Sequence, residues 1–184
     1  MSLLEEMQKL NPILQKLVEQ KLEIDLGFIE IANSNDFIKD VTIKYDLSNS
    51  QQEKLKQKLS GKNVNPSFVN SSMPEKIYMR ENILEEYFGC APEQYKEIHF
   101  THILLHEQTH LAHINIVKKS LTNYPIALTE GFAEYMTYKI IKDTFKINPR
   151  CTSKYKEHLN YFKEEVKQYN LKTADDFKVY LLIQ

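Results

Sequence analysis

The first third of the chain mixes helical and strand-like hydrophobic patterns, and it begins with a helical one. Apolar residues recur at helical spacing over 4–17, after the capping box Ser2-x-x-Glu5, which predicts an amphipathic helix. Pro12 falls inside that pattern. Because proline lacks the N–H that a helix interior uses, we expect it to kink or divide this helix.

Alternation of apolar and polar residues then predicts β-strands. It occurs over 27–32 and, most clearly, over 41–47. Residues 63–75 are rich in Asn, Ser and Pro and predict a loop, and residues 76–80 predict a short strand after it. The sheet that these segments can form is small.

Helical periodicity dominates the rest of the chain. Ser50-x-x-Glu53 is expected to open a short helix that Gly61 closes. Further helices are predicted at 81–88, 92–119, 125–145, 152–170 and 174–183, the last beginning at Thr173-x-x-Asp176. Since strands precede most helices, we expect an α+β fold, with a small twisted sheet packed on the helix at 92–119 and a helical C-terminal part after it.

Composition fits one domain over residues 1–184, with the sheet and the long helix in about 1–119 and the helical part in about 120–184. A chain of 184 residues with 42% hydrophobic residues can bury a sizeable core without a disulfide framework. Cys90 and Cys151 leave a disulfide possible but not indicated. The net charge of −1 gives no reason to expect nucleic acid or an anionic membrane as a partner.

The first residues lack the basic and apolar regions of a signal peptide, and no apolar run is long enough to cross a bilayer. We therefore expect a cytoplasmic protein. Its oligomeric state is left open by the sequence.

One segment of the helix predicted at 92–119 carries candidate chemistry. His106-Glu107-Gln108-Thr109-His110 has the H-E-x-x-H pattern of zinc peptidases. Residues four apart on a helix project from the same face, so the two imidazoles can bind one Zn²⁺ at about 2.0–2.1 Å each. Glu107 lies about a quarter-turn around the helix, where its carboxylate can miss the metal and act as general base on the attacking water.

A second segment, Thr129 to Tyr135, supplies carboxylates at a suitable distance. Glu130 would complete a set of two His and one Glu for one Zn²⁺ per chain, leaving a fourth position open, as in catalytic rather than structural sites. Glu134 shares its helix face and is expected to accept the free ring N–H of His106, which fixes that ring. The alternative for Glu134 is a solvated acid on a surface helix.

Three more histidines, His99, His102 and His113, lie near the motif. They make a second metal conceivable, but we expect core or surface imidazoles.

The stretch 103–135, with both segments and Pro125 between them, resembles the gluzincin metallopeptidases, most closely the small single-domain minigluzincin or peptidase MA-like proteins. The resemblance covers about a fifth of the chain. It implies a zincin-like fold and zinc-dependent hydrolysis of a peptide or protein substrate, with His106, His110 and Glu130 as ligands and Glu107 as base. The family often has Trp and Asn shortly before the ligand glutamate. This chain instead has Ala-Leu-Thr at residues 127–129, and the difference argues against the aminopeptidase branch.

The same resemblance implies an oxyanion-stabilising Tyr or His on the helix after the ligand helix. Tyr155 and His158 are the candidates, and such a donor is worth about 10²–10³ in rate. The alternative for Tyr155 is a packing role. The strand around Ile77–Met79 is expected to pair with an extended substrate. Cleavage specificity, including endo- against exopeptidase action, stays open.

Two other function classes remain. One is a non-catalytic module that keeps the metal for stability, although an intact Glu107 argues against it. The other is a latent protease whose own segment covers the cleft. The apolar tail 177–184 could pack near the metal side and restrain activity; the alternative is that this helix completes the core.

Overall fold

Helices on both faces of a small mixed sheet form the fold in the computed structural model, which describes residues 2–61, 65–147 and 155–184. Among these residues the strands are β1 (Glu30–Asn33), β2 (Ser67–Asn70) and β3 (Met73–Met79). The helices are α1 (Leu3–Leu22), α2 (Ser34–Tyr45), α3 (Asn49–Leu59), α4 (Glu81–Phe88), α5 (Glu93–Val117), α6 (Ile126–Phe145), α7 (Lys156–Gln168) and α8 (Ala174–Ile183). The predicted α+β class is confirmed.

The sheet has the order β1-β3-β2, with β1 parallel and β2 antiparallel to β3. Ile77 and Met79 of β3 face the main core, whereas Tyr78 faces a second apolar cluster under α2 and α3. Because β3 has a neighbour on each side, the predicted pairing of Ile77–Met79 with a substrate strand is wrong. The edge strand beside α5 is β2.

Side chains of α1 satisfy the backbone that leads into β1. Three amides of α1 donate to alternate carbonyls of this segment. The pairs are Gln8 with Ile31, Asn11 with Ile29 and Gln15 with Gly27. The predicted strand at 27–32 is observed only from Glu30 onward, and the carbonyls of Gly27 and Ile29 before it accept from α1 instead of from a strand.

The strand predicted at 41–47 is wrong, because residues 34–45 form α2. A capping box starts this helix: the Asn33 side chain accepts from the backbone N–H of Asp36, whose carboxylate accepts from that of Asn33. The alternation did not reflect burial, since Ile43 is 73% exposed. Instead Phe37 and Ile38 are buried, and Val41, one turn on, packs against the same cluster.

Other boundaries differ in detail. Pro12 lies inside α1 without dividing it. Helix α3 is capped by Ser48, whose box partner is Gln51, so it begins earlier than Ser50. The predicted loop at 63–75 contains β2 and the start of β3, while its residues 63 and 64 lie outside the described part. The predicted start of α7 at residue 152 and Cys151 also lie outside it.

The C-terminal helix α8 packs into the main core. Phe177, Tyr180 and Leu181 are buried there, with the Phe177 ring centroid 6.0 Å from that of Tyr135 and the Tyr180 centroid 6.0 Å from that of Phe162. This packing supports the alternative in which the tail completes the core. No helix in the described ranges has the length and apolar composition needed to cross a membrane.

Candidate metal centre

Helices α5 and α6 pack against each other and bring the predicted ligands together. His106 and His110 are one turn apart on α5 and are 6% and 5% exposed. Glu130 lies in the second turn of α6, with its side chain partly exposed. One ligand atom from each of these three residues lies within 4.8 Å of the others, so they could hold a metal ion.

The distances match the donor set of one tetrahedral ion. The two Nε2 atoms of His106 and His110 are 3.1 Å apart, and they lie 3.2 and 3.5 Å from the carboxylate oxygens of Glu130. Ligands at about 2.0–2.1 Å from a tetrahedral zinc would be separated by about 3.3 Å. The two facing Nε2 atoms and the carboxylate oxygens all offer electron pairs to the same small space. A cation bound there would satisfy all of them at once.

The pKa shifts of Glu130 and His106 agree with a cation site. Burial acts to raise the pKa of Glu130, but hydrogen bonds from His106 and His110 outweigh it and hold this pKa below its usual range. Burial acts to lower the pKa of His106, but hydrogen bonds to Glu130 and Glu134 outweigh it and raise this pKa to about 10. A bound cation displaces such a proton, because imidazole ligates in its neutral form.

Glu134 is fully buried, so it is not a solvated acid on a surface helix. Its Oε2 lies 3.2 Å from Nδ1 of His106 and 3.1 Å from Nε2 of His102. Burial acts to raise the pKa of Glu134, but its bonds with His102 and His106 lower it to about 2. The carboxylate can therefore orient His106 from the side opposite Nε2, the role predicted for it.

The other histidines have different surroundings. His102, His106 and Glu134 form a second group that could hold an ion, and it shares His106 with the first. His113 is a core imidazole: it is fully buried beside Tyr124 and Phe132, and its ring nitrogens have no hydrogen-bond partner among the described residues. Burial lowers its pKa to about 3.

Glu107 is hydrogen-bonded to the sheet and is not part of the ligand trio. Its Oε1 accepts a hydrogen bond of 2.7 Å from Oγ of Ser67, the first residue of β2. Ser67 was not among the predicted site residues. No local pattern singles it out, because it precedes Glu107 by 40 positions.

Tyr155 lies next to the trio, whereas the His158 side chain makes no ring contact or hydrogen bond with it. The ring centroid of Tyr155 is 5.2 Å from that of His106, and its side chain hydrogen-bonds Asn65. Burial, followed by the charges of Glu130 and Glu107, raises the pKa of the Tyr155 phenol. The backbone of His158 packs on α6, and its half-buried side chain makes no hydrogen bond to the described residues.

Residue 131 explains how α6 and α7 come so close at this point. A Cβ on Gly131 would lie 2.5 Å from the backbone oxygen of His158 and 3.0 Å from Cβ of Phe162. Only glycine fits there, directly after Glu130. Gly131 thus lets α7 lie close beside the ligand helix, with Tyr155 at its N-terminus.

The chain matches no model of a known protein family, no curated protein and no solved structure. The resemblance to the gluzincins therefore rests on the residues of the two segments alone. What the structure adds is the cluster of His106, His110 and Glu130, which could hold a metal ion of unspecified identity.

Proposed function

We propose that this chain is a zinc-dependent peptidase of the gluzincin type with a zincin-like fold. One observation carries the proposal: the ligand atoms of His106, His110 and Glu130 meet at separations suited to one tetrahedral ion, while the neighbouring Glu107 is kept out of that set. A site that served only to stabilise the fold would have no need of a general base.

The chemistry divides between the ion and the chain. A zinc ion held by these three residues supplies a Lewis acid, which lowers the pKa of water and polarises a carbonyl. Glu107 takes the proton of the attacking water and delivers it to the leaving amine, a transfer worth about 10²–10⁴ in rate. Glu134 keeps Nε2 of His106 turned toward the site through its contact with Nδ1.

Tyr155 is the better supported of the two predicted oxyanion donors. Its ring is beside His106, and its raised pKa keeps the phenol protonated at neutral pH, so it can donate. His158 has no comparable contact with the ligands, and we expect His158→Ala to reduce turnover far less than Tyr155→Phe.

Metal analysis combined with a cleavage assay tests the proposal. Protein purified without chelator should contain about one zinc per chain and cleave members of a peptide library. Glu107→Gln should keep the zinc and lose cleavage, whereas Glu97→Gln, an exposed acid on the same helix, should change neither. Zinc uptake without cleavage of any library member would instead indicate a metal-binding module. Absence of uptake on titration would contradict the metal site itself.

A further inference from the structure

A serine of the edge strand makes a buried hydrogen bond with the residue next to the metal ligands. We propose that Ser67 is a positioning residue: its hydroxyl fixes the carboxylate of Glu107 so that one oxygen is anchored and the other stays available for proton transfer. The role of Ser67 in turnover rests on the peptidase function proposed above. Its contact with Glu107 does not.

Because Glu107 is buried, its carboxylate depends on this hydrogen bond. Ser67 and Glu107 are 4% and 6% exposed, and the Ser67 Oγ to Glu107 Oε1 distance is 2.7 Å. Among the residues that the structure describes, Ser67 is the one hydrogen-bond donor to this carboxylate. A carboxylate away from water needs such a donor, and bonds to a charged acceptor are short and strong.

The donor itself is held in place by Arg80. The backbone N–H of Arg80 donates to the carbonyl of Pro66 at 2.8 Å, and its Nη1 donates to the carbonyl of Asn65. The guanidinium also lies 4.4 Å from the ring centroid of Phe68. Arg80 therefore contacts the residues before and after Ser67, while Ser67 pairs with Met79 in the sheet.

A general base held in one orientation transfers a proton faster than a mobile one. A carboxylate that rotates among conformers spends much of its time out of reach of the reacting proton, and a misplacement of about 1 Å costs about 10² in rate. Ser67 removes that freedom at Oε1 through its hydrogen bond. Loss of the hydroxyl should therefore reduce turnover rather than substrate affinity.

Kinetics on the zinc-loaded enzyme test this effect. With a peptide that the wild type cleaves, Ser67→Ala should lower kcat about 10–100-fold, leaving KM and zinc content unchanged. Ser67→Thr keeps the hydroxyl and should recover most of the loss. The control is Ser71→Ala, which removes a hydroxyl of the same hairpin that lies 2.9 Å from Oγ of Ser120, far from the base. Unchanged kcat in Ser67→Ala, or an equal fall in Ser71→Ala, would overturn the proposal.

A double-mutant cycle on metal-free protein tests the contact without any activity. Denaturant unfolding is measured for the wild type, Ser67→Ala, Glu107→Ala and the double variant. Ser67→Ala should shift the folding equilibrium about 5–30-fold when Glu107 is present, because it leaves a buried carboxylate unpaired, and less than about 2-fold when it is absent. Equal shifts in both backgrounds would contradict the contact. If the wild type cleaves no peptide, the peptidase proposal fails, while this cycle still decides whether Ser67 holds the Glu107 carboxylate.

Discussion

The Nδ1 atom of His106 lies 3.2 Å from Oε2 of Glu134, across the interface between α5 and α6. The two residues are 28 positions apart in the chain, and both are buried. A neutral imidazole that donates from Nδ1 presents an unprotonated Nε2, the form that binds a metal. The contact thus links the orientation of a ligand to the packing of two helices.

Replacing this carboxylate tests its effect on the ligand. We expect Glu134→Gln to weaken zinc binding about 10–100-fold, because an amide oxygen orients the imidazole less strongly than a carboxylate. Competition with a chromophoric chelator measures the affinity. Glu97→Gln on the exposed side of α5 is the control. Equal zinc affinity in the wild type and Glu134→Gln would show that Glu134 does not support the ligand.

Zinc should stabilise the folded chain through the three ligands. At a free zinc concentration about 100-fold above Kd, the free energy of unfolding should rise by about 2.7 kcal/mol, because the ion binds the native state. The shift in Tm on adding zinc measures this gain. Glu130→Ala and His110→Ala should show little shift. A full shift in Glu130→Ala would mean that another residue supplies the third ligand atom.

Gly131 should tolerate no side chain. Gly131→Ala places a methyl group 2.5 Å from the backbone oxygen of His158, so α7 must move away from α6, and we expect a loss of about 1–3 kcal/mol in unfolding free energy. Gly61→Ala is the matched control, since its Cβ would come no nearer than 3.5 Å to any atom. Chemical denaturation measures both variants. A Gly131→Ala protein as stable as the wild type would show that the helices separate without cost.

Asp40 should make stability depend on acid pH. Burial acts to raise the pKa of Asp40, but hydrogen bonds from Lys76 and Tyr78 outweigh it and lower this pKa below its usual value. A carboxyl with a lowered folded-state pKa contributes stability above its unfolded pKa of about 3.9, and the contribution is lost as pH falls through the folded pKa. The difference in unfolding free energy between the wild type and Asp40→Asn should therefore shrink below about pH 4. A difference that is constant with pH would contradict this role.

Removing the C-terminal helix should unfold the protein rather than activate it. Deleting residues 174–184 removes Phe177, Tyr180 and Leu181 from the main core, each worth roughly 1.5–3 kcal/mol of burial. We expect an aggregated or unfolded product by circular dichroism. A folded, soluble truncation with faster peptide cleavage than the full chain would favour the latent protease instead.

Local properties of the chain could be predicted from its sequence. The capping boxes of Ser2 with Glu5 and of Thr173 with Asp176 are observed where they were predicted. The spacing of His106 and His110 placed both imidazoles on one helix face, because a helix repeats every 3.6 residues whatever it packs against. Glu130 was predicted from its distance along the chain, and α6 brings it to the two histidines.

Contacts between distant segments depended on the tertiary structure. The alternation at 41–47 predicted a strand, but the capping box at Asn33 and the burial of Phe37 and Ile38 made it a helix. Strand β3 lies in the centre of the sheet because β1 and β2 pair with it on either side. This position leaves β3 no free edge for a substrate strand.

Buried hydrogen bonds between distant residues show most directly why such contacts could not be predicted from the sequence. Gln108, inside the H-E-x-x-H segment, donates to Asn11 across 97 positions, and Ser67 donates to Glu107 across 40. A capping box or a helix face is determined by residues within a few positions, so the sequence alone decides it. A hydrogen bond between remote side chains exists only once the core has fixed how helices and strands lie together, because the free energy that orders them comes from the burial of the whole core.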